Sequence, residues 1–506
     1  MEQSVAEFEA DVIVVGGGGS GMAAAIEAKR LGRDVILLEK NPKIGGSTIR
    51  SIGSISASAT PHQIREGIKD TPDEHFEDLG KFNEVVKGNR GVDNLALRRI
   101  LVDNSNDSLR WLMSIGVVFF GPTPEPPHRT PRMHNVLPNS RAYGYFLEKQ
   151  ARKVGVDLRV NRRARSFILD GKSVTGVECV AADGKIERYR ARGGIVLTTG
   201  DYSASPELKL KFGTPGDSRV GPTNPTNTGD GHAMAMQIGA RVINGHMLLT
   251  LVRFVAPPPK WIHSLPPWGI LTKFMAWSLK NMPNWLLRPF IMSFLTTVLA
   301  VSPELFKAGA ILVNKRGERF ADELEKPVYP LAEQPDQSGY IILDGKLAKK
   351  FSAFPHFVST APGIAYAYIP DYERSRSDVV RKANTIAELA AKIGVDPKTL
   401  EKTIAERNAS VQNGGARRFP PLDAGPYYAL GPMRSFVNLT DGGLAIDERF
   451  QVLREDGEAI DGLFAAGSAG QGGIMLEGHG HHLGWAFTSG RLAGRNAAYR
   501  MSSADI

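Results

Sequence analysis

The stretch DVIVVGGGGSGMAAAIEAKRLGRDVILLE, Asp11 to Glu39, decides the fold of this chain. It opens with a short apolar run that predicts a buried parallel strand. Gly16, Gly18 and Gly21 follow at G-x-G-x-x-G spacing, and an Ala-rich helical segment and a second apolar run come next. The stretch therefore predicts one complete βαβ unit.

Each glycine of this unit has a separate physical role. One permits the tight turn, one lets the backbone approach a pyrophosphate, and one lets the helix pack against the strand. The unpaired N–H groups at the start of the helix, next to Gly19 and Ser20, then face the phosphates. Glu39 lies about 20 residues further on, where an acid accepts the ribose hydroxyls. The pattern predicts a dinucleotide site, and the alternative is a glycine-rich turn without a ligand.

Composition bounds the class of protein. A chain of 506 residues with 42% hydrophobic residues suits two globular domains, or one domain with a large insertion. The single cysteine, Cys179, excludes an internal disulfide framework and a CxxC metal site, so a reducing cytoplasm is expected. The acidic, polar N-terminus does not resemble a signal peptide.

The net charge of +9 suits an acidic partner surface, either nucleic acid or anionic lipid. The sequence shows neither a base-stacking motif nor a basic groove pattern, so we expect no nucleic-acid partner. The distribution of the charge favours lipid, as described below.

A loop of small residues after Glu39 makes the prediction more specific. Gly45, Gly46, Ser47 and Thr48 let the chain run along a flat ligand. This combination resembles the flavoproteins of the fumarate reductase and succinate dehydrogenase superfamily, including its 3-ketosteroid dehydrogenase branch. The resemblance implies FAD as the cofactor. Attachment is expected to be non-covalent, because the loop GGSTIRSIGSI contains no histidine.

Further motifs extend the resemblance over nearly the whole chain. Thr199-Gly200 and the TGDG segment around Asp230 resemble the end of the family's first FAD segment, and GLFAAGSAGQGG and GHGHHLGW resemble its C-terminal loops. The FAD contacts that the resemblance implies, with those of the first unit, are Gly16, Gly18, Gly19, Ser20, Gly21, Glu39, Lys40, Gly46, Ser47, Thr48, Thr199, Gly200, Asp230, Ala466, Gly467, Ser468 and Leu483.

The resemblance also implies the architecture. The chain is expected to be an α/β protein with a Rossmann-like FAD-binding domain of the glutathione reductase type and an inserted α+β capping domain. The FAD-binding domain would comprise residues 1–235 and 426–506, and the capping domain residues 236–425. Within the first part, the proline-rich segment 122–138 predicts an irregular loop, either on the solvated surface or reaching the substrate.

One segment of the cap, residues 251–302, is unusual in composition. It contains no Asp or Glu, it carries five Lys or Arg residues including Lys260, and it holds four of the chain's six tryptophans, among them Trp261. Its apolar runs are too short to span a bilayer, which needs about 20 residues. Interleaved aromatic and basic residues are typical of a monotopic membrane-surface segment. The alternative is an oligomer interface or a buried helix pair.

The residues with which the superfamily holds a dicarboxylate are missing. By hand alignment its two arginines fall on His482 and Pro327, and its two histidines on Leu439 and Leu251. A dicarboxylate in such a pocket would lose hydration without gaining partners. Fumarate and succinate are therefore not expected as substrates.

The 3-ketosteroid dehydrogenase branch uses tyrosines and a glycine, and the match here is partial. Tyr329 is the best match for the proton-transferring tyrosine, and Gly480 for the glycine that polarises the ketone. The second tyrosine falls on Leu476, so His481 or His482 is expected to contact the carbonyl oxygen instead. No metal site is predicted.

Three functions remain open. The first is FAD-dependent desaturation or reduction of a hydrophobic carbonyl compound, such as a 3-ketosteroid or cyclic ketone, with hydride transfer at flavin N5 and a protein acid/base. The second is reduction of a small unsaturated carboxylic acid. The third is a membrane-docked flavoprotein electron carrier. The first reading implies a small hydrophobic substrate, an external electron donor or acceptor, a peripheral location on the inner face of a membrane and a possible homo-oligomer.

Overall fold

The structure, a computed structural model, describes residues 5–85, 91–257, 264–361, 365–412 and 419–500. Lys260 and Trp261 of the basic aromatic segment lie outside these ranges. Among the described residues, no helix is both long enough and apolar enough to cross a bilayer.

The first half of the chain alternates strands and helices, as the βαβ motif predicts. Its elements are β1 (Ala6–Val15), α1 (Gly19–Arg30), β2 (Val35–Glu39), β3 (Ser54–Ser56), α2 (Pro61–Arg65), α3 (Pro72–Val85), α4 (Leu95–Ser114), β4 (Val118–Thr123), β5 (Met133–Leu137), α5 (Arg141–Val154), β6 (Asp157–Val160), β7 (Arg162–Asp170), β8 (Ser173–Ala181), β9 (Ile186–Leu197), α6 (Pro206–Phe212), α7 (Pro215–Arg219), β10 (Gly221–Pro222), α8 (Asp230–Gln237) and β11 (Val242–Ile243).

The second half begins with the cap and returns to the first domain. Its elements are β12 (Leu248–Phe254), α9 (Gly269–Asn281), α10 (Asn284–Leu295), β13 (Ala300–Val301), α11 (Glu304–Lys307), β14 (Ile311–Asn314), α12 (Val328–Ala332), β15 (Ser338–Leu343), α13 (Gly345–Lys350), β16 (Ser359–Ala361), β17 (Ala365–Ala367), α14 (Ile369–Ser375), β18 (Val380–Ala383), α15 (Ile386–Ile393), α16 (Pro397–Gln412), β19 (Tyr427–Thr440), β20 (Gly443–Leu444), β21 (Gln451–Leu453), β22 (Ala459–Ala465) and α17 (His481–Tyr499).

The central sheet has the strand order β21-β22-β9-β1-β2-β6. β1 lies between β2 and β9 and runs parallel to both, with Val12 opposite Val35 and Ile13 opposite Ile195. These strands are buried on both faces, which explains their nearly continuous apolar sequences. The predicted Rossmann-like α/β fold is confirmed.

The described residues form two large hydrophobic cores, beside a small third cluster of Val220, Ala332 and Val437. The first core is built from residues between 10 and 240 and between 444 and 498, and the second from residues between 254 and 433. The cap sheet has the order β10-β19-β15-β14, and β12 and β18 also pair with β19. Because β19 runs to Thr440 within this sheet, the chain leaves the cap sheet after residue 440. The sequence predicts the C-terminal boundary of the cap at residue 425.

The proline-rich segment contains more regular structure than its sequence predicts. Its C-terminal end forms β5, the middle strand of the small sheet β3-β5-β4. The prediction of an irregular loop over all of 122–138 is therefore wrong. The five residues 133–137 contain no proline, so each retains the N–H group that a strand needs.

Helices α1 and α17 pack backbone to backbone through glycines. A Cβ added to Gly490 would lie 2.3 Å from the carbonyl oxygen of Ser20, and one added to Gly494 would lie 2.3 Å from that of Ala24. The two contacts advance together along both helices, so α1 and α17 run parallel. Their N-termini point the same way, and α17 extends about eight residues, or ~12 Å, further at that end.

We predict that Gly494→Ala destabilises the protein. The added methyl group has no room against the carbonyl of Ala24, so overpacking should cost about 1–3 kcal/mol of unfolding free energy. Denaturant unfolding of the FAD-loaded protein measures this change. Gly269→Ala is the matched control, because a Cβ at this helical glycine has no neighbour within 4 Å. The control should be neutral or slightly stabilising, and equal stability of the two variants would contradict the packing argument.

Candidate active site

One cavity of about 610 Å³ connects the predicted cofactor motifs with the cap. Its floor is formed by the loops that follow β1, β2, β9 and β22, at the carboxyl ends of the central strands, where open α/β sheets bind their ligands. Its far wall comes from the N-terminal end of α17, from the loop between β4 and β5, and from β12 of the cap.

The glycine loop at the start of α1 has the shape that the sequence predicts. Gly16 has a φ of +112°, which favours glycine, and a Cβ on Gly21 would lie 1.8 Å from the carbonyl oxygen of Gly16. Gly21 does not line the cavity, so its role is close packing of helix on strand. Gly18 caps the N-terminus of α1, and a Cβ there would enter open space. The helix N-terminus is therefore open to a phosphate group.

Glu39 lies at the end of β2 and holds the glycine loop in place. One of its carboxylate oxygens accepts a hydrogen bond of 2.7 Å from the backbone N–H of Gly17. The other accepts hydrogen bonds from the backbone and side chain of Asn41. Glu39 lines the cavity, so its remaining lone pairs are available to ribose hydroxyls.

The loop of small residues after β2 closes over the start of α1. The hydroxyl of Thr48 accepts a hydrogen bond of 3.0 Å from the N–H of Gly19. The hydroxyl of Ser47 is within 2.9 Å of the Asn224 side chain and 3.0 Å of that of Asn227. These contacts fix the backbone of the loop along the cavity wall.

The turn after β9 contributes an unpaired polar atom. The buried hydroxyl of Thr199 has no hydrogen-bond partner among the described residues, and it lines the cavity together with Gly200. Beside it, the ammonium group of Lys40 donates to Asp230 at 2.8 Å and to Thr228 at 2.6 Å. Asp230 also pairs with Arg163, and these two cations hold its pKa below the usual value despite burial.

The loop after β22 lines the cavity floor with one part and is buried with the rest. Ser468 lines the cavity, whereas Ala466 is fully buried and Gly467 packs against Ser20. The indole of Trp485 donates to the carbonyl of Gly467 at 3.2 Å. This bond ties the loop to α17.

The residues present fit FAD. An open helix N-terminus, an acid at the end of β2, an unpaired threonine hydroxyl and a second helix N-terminus lie along one elongated cavity. The predicted cofactor residues that line it are Gly16, Gly18, Gly19, Ser20, Glu39, Lys40, Gly46, Ser47, Thr48, Thr199, Gly200, Asp230, Ser468 and Leu483. Whether the attachment is covalent stays a prediction.

The catalytic candidates at the start of α17 divide between two sides of the cavity wall. Gly480, the N-cap of α17 with a φ of +92°, and His482 line the cavity. His482 lies 3.4 Å from a carboxylate oxygen of Asp441, which also accepts a hydrogen bond from Gln471. His481 is fully buried and does not line the cavity.

His481 belongs to a buried cluster with His75 and His128, behind the cavity wall. One nitrogen from each ring lies within 4.8 Å of the others, a spacing that could hold a metal ion. The guanidinium of Arg132 donates to Nδ1 of His128, however, which leaves the ring proton on Nε2. Nδ1 of His481 is bonded to the carbonyl of Glu477, and its Nε2 lies 3.2 Å from Nε2 of His75.

These hydrogen bonds favour a cluster of neutral histidines over a metal site. Burial lowers the pKa of His481 to about 4 and that of His128 to about 2, so both rings are uncharged near neutral pH. The ring of Phe82 packs against both and itself lines the cavity. The histidine cluster therefore supports the cavity wall from its buried side through Phe82.

Tyr329, the predicted proton-transferring tyrosine, lies apart from the other catalytic candidates. It is on α12 of the cap, it does not line the cavity, and its hydroxyl donates to Asp217 at 2.9 Å. Burial, followed by this bond to a carboxylate, raises the pKa of the tyrosine. The structure therefore does not bring Tyr329 together with the other candidates, and its catalytic role stays a prediction without geometric support.

Sequence reasoning missed an acid in the same block as the histidines. Glu477 lines the cavity three residues before Gly480. Burial, together with the nearby charge of Asp441, raises the pKa of Glu477 to about 7. A carboxyl group that titrates near neutral pH inside a cavity can both donate and accept a proton. The family pattern has a tyrosine at the position of Leu476, and it gives no signal for the acid that follows.

A second acid of the wall is already paired. Glu125, in the loop between β4 and β5, accepts hydrogen bonds from the backbone N–H and the Nδ1 of His479. Glu125, Pro126 and Pro127 line the cavity, which supports the alternative that this loop reaches the substrate.

The most informative residue of the cap side is Arg253 on β12. It lines the cavity, and its Nε has no hydrogen-bond partner among the described residues. Its cross-strand neighbour is a second cation, Arg434. Burial lowers the pKa of Arg253 to about 10, so the group is still charged near neutral pH. Arg253 belongs to the segment 251–302, whose composition predicts a membrane surface, and β12 places its side chain in the cavity instead.

These features define a flavoprotein. The family model described as an FAD binding domain matches residues 11–263 and 272–477, and the chain belongs to this family. It is an FAD-dependent oxidoreductase.

Two curated relatives cover almost the whole chain. A probable fumarate reductase of Shewanella frigidimarina is 28% identical over 96% of this chain and 74% of its own length. A urocanate reductase of Eggerthella lenta is 27% identical over 97% of this chain and 75% of its own length.

Solved structures agree with this fold. The open conformation of a flavocytochrome c3 fumarate reductase superposes with a TM-score of 0.71 at 27% identity, over 98% of this chain and 79% of its own. A 3-ketosteroid-Δ4-(5α)-dehydrogenase from Rhodococcus jostii gives 0.58 at 24% identity, over 98% of both chains, which shows a shared fold alone.

We predict that Glu39→Ala weakens FAD binding at least tenfold, about 1.4 kcal/mol, because the glycine loop loses its anchor and the ribose loses an acceptor. Titration of the apoprotein by flavin fluorescence measures the affinity. Glu9→Ala, which removes an exposed acid from the same strand pair, is the matched control and should bind FAD as the unaltered chain does. Equal affinities for the Glu39 and Glu9 variants would contradict the assignment.

Proposed function

We propose that this protein reduces, or in reverse forms, the carbon–carbon double bond next to a single carboxylate in a largely apolar compound. The observation that carries the proposal is Arg253, a partly buried cation that lines the cavity, whose Nε is buried and unpaired and for which no carboxylate partner is found among the described residues. A buried charge without a partner is costly, and a bound carboxylate would compensate it through a bidentate pair.

A single carboxylate suits this cavity better than two. The alignment leaves leucine, proline or histidine where the superfamily holds a dicarboxylate, and Arg253 shares the cavity lining with several apolar side chains. These include Phe82, Pro126, Pro127, Leu249, Val298, Leu439 and Leu476. The urocanate reductase relative supports the same class of substrate.

When bound, FAD supplies hydride chemistry. The chain itself has to hold the substrate and move one proton. Arg253 would bind the carboxylate and stabilise the negative charge that develops on it during reduction. Glu477, with a pKa of about 7, would deliver the proton in the reductive direction and accept it in the oxidative direction. Gly480 and His482 complete the wall beside this acid.

We predict that Arg253→Met lowers kcat/KM for unsaturated monocarboxylates by at least a hundredfold, about 2.7 kcal/mol, because the charged carboxylate is left unpaired in the cavity. The assay follows reoxidation of chemically reduced, FAD-loaded protein by acrylate, crotonate and cinnamate under anaerobic conditions. The matched control is Arg434→Met, which removes the exposed cross-strand arginine outside the cavity lining.

The two outcomes separate the substrate classes. A large loss in the Arg253 variant, with an unchanged Arg434 variant, supports a carboxylate substrate. Turnover of the acids that is equal in both variants would contradict the role of Arg253. Absence of turnover with every acid in the unaltered protein would contradict the proposed function itself.

We predict that Glu477 sets the pH dependence of the reaction. As general acid, Glu477 must be protonated, so kcat/KM for reduction should fall as the pH rises through about 7, and the oxidative reaction should fall as the pH drops through the same value. Glu477→Gln should lower the rate by about 10²–10⁴-fold and remove this titration. A Gln variant that keeps both rate and titration would show that another group moves the proton.

A hydrophobic ketone is the second candidate substrate. The observation that favours it is the apolar wall, beside which a protonated Glu477 and His482 offer hydrogen-bond donors for a carbonyl oxygen. A neutral ketone does not need a cation for binding. Turnover of a 3-ketosteroid or cyclohexanone by the Arg253→Met variant, at the rate of the unaltered protein, would favour this candidate over the acid.

A further inference from the structure

The helices α9 and α10 carry a cluster of exposed large apolar side chains. On α9, Ile270, Phe274 and Trp277 are exposed at helical spacing i, i+4, i+7, which places them on one face. The opposite face is buried through Thr272 and Met275, and the helix packs there against β4 and β5. Ile270 is 89% exposed, so this face is covered by nothing within the described chain.

Both ends of α9 extend this apolar face. Trp268, the residue before the helix, is 66% exposed, and Trp285, at the start of α10, is 75% exposed. The rings of Phe274 and Trp277 stack with centroids 6.1 Å apart. We call this surface the aromatic ridge, and it consists of Trp268, Ile270, Phe274, Trp277, Trp285 and Leu286. Its α9 part, from Ile270 to Trp277, is about 10 Å long.

The segment that carries the ridge has charged residues of one sign only. Residues 251–302 contain no acid, and Lys273 and Lys280 are exposed on α9 next to the apolar face. The described acids that pair with this segment, Glu66 with Lys280 and Asp371 with Arg288, come from other parts of the chain. Exposed tryptophan and lysine without acids are the composition of a helix that lies at the boundary between lipid and water.

The chain segment that carries the ridge begins and ends at residues of the cavity wall. The segment that carries it starts on β12, where Leu249 and Arg253 line the cavity, and it returns to the cavity at Val298, just after α10. A surface bound to the ridge would therefore lie next to the substrate side of the cavity. Apolar compounds with one carboxylate partition into bilayers, so this position gives access to a membrane-dissolved substrate.

We propose that the aromatic ridge docks this protein on the surface of an anionic phospholipid bilayer, with α9 lying in the plane of the interface. The tryptophan, phenylalanine and isoleucine side chains enter the headgroup region, and Lys273 contacts lipid phosphates. The inference rests on the exposed surface and its charge, and it goes beyond the reaction proposed above.

Vesicle flotation of the FAD-loaded protein tests the proposal, with vesicles of phosphatidylcholine containing 30% phosphatidylglycerol and with phosphatidylcholine alone. We expect binding to the anionic vesicles that weakens at high salt, because screening reduces the lysine contribution. The triple variant Ile270→Ser, Phe274→Ser, Trp277→Ser should lose binding at least tenfold. Tyr145→Ser, which removes an exposed aromatic ring from α5 of the FAD-binding domain, is the matched control and should bind normally.

Retained FAD and unchanged unfolding midpoints show that the variants are folded. Failure of the unaltered protein to float with anionic vesicles, even at low salt, would overturn the proposal. Equal binding by the triple variant would overturn it as well. A defined dimer in light scattering that dissociates in the triple variant, without vesicle binding, would instead assign the ridge to a second copy of this chain.

Discussion

The close backbone contact between α1 and α17 is the constraint on which the rest of the site depends. Gly490 and Gly494 of α17 lie directly against the carbonyl oxygens of Ser20 and Ala24 of α1, and this approach fixes the two helices as parallel neighbours. Buried Glu27 of α1 reinforces the pair by accepting from Arg491 and Arg495 of α17. Two helix N-termini from opposite ends of the sequence therefore open onto the same cavity.

The stagger of these helices divides the cavity into two chemically different parts. The N-terminus of α1, with its open Gly18, offers N–H groups to a phosphate. The N-terminus of α17 lies further along and is preceded by Glu477, so a titratable acid lines that end of the cavity. One packing contact thus sets the distance between the open N-terminus of α1 and this acid.

Charge placement around the cavity separates structural pairs from groups that are free to act. Arg132 is fully buried and bonded to Asp70 and Asp78, and Glu125 is bonded to His479, so these charges are compensated within the protein. Arg253 and Glu477 line the same cavity without such compensation, which the lowered pKa of one and the raised pKa of the other reflect. Uncompensated groups of this kind are typical of functional sites.

The sequence by itself determined the Rossmann-like fold and most of the predicted cofactor residues that line the cavity, because the glycine spacing, the buried strands and the acid at the end of β2 are local features of one short stretch. The tertiary structure alone decided which charged groups of the cap line the cavity. Arg253 lies within a segment whose composition indicates a membrane surface, and only the pairing of β12 with β19 turns it into the cavity. Tyr329 matched a family pattern, yet its hydroxyl bonds to Asp217 outside the cavity lining. Burial and pairing arise from contacts between distant parts of the chain, and residue types and spacing do not encode them locally.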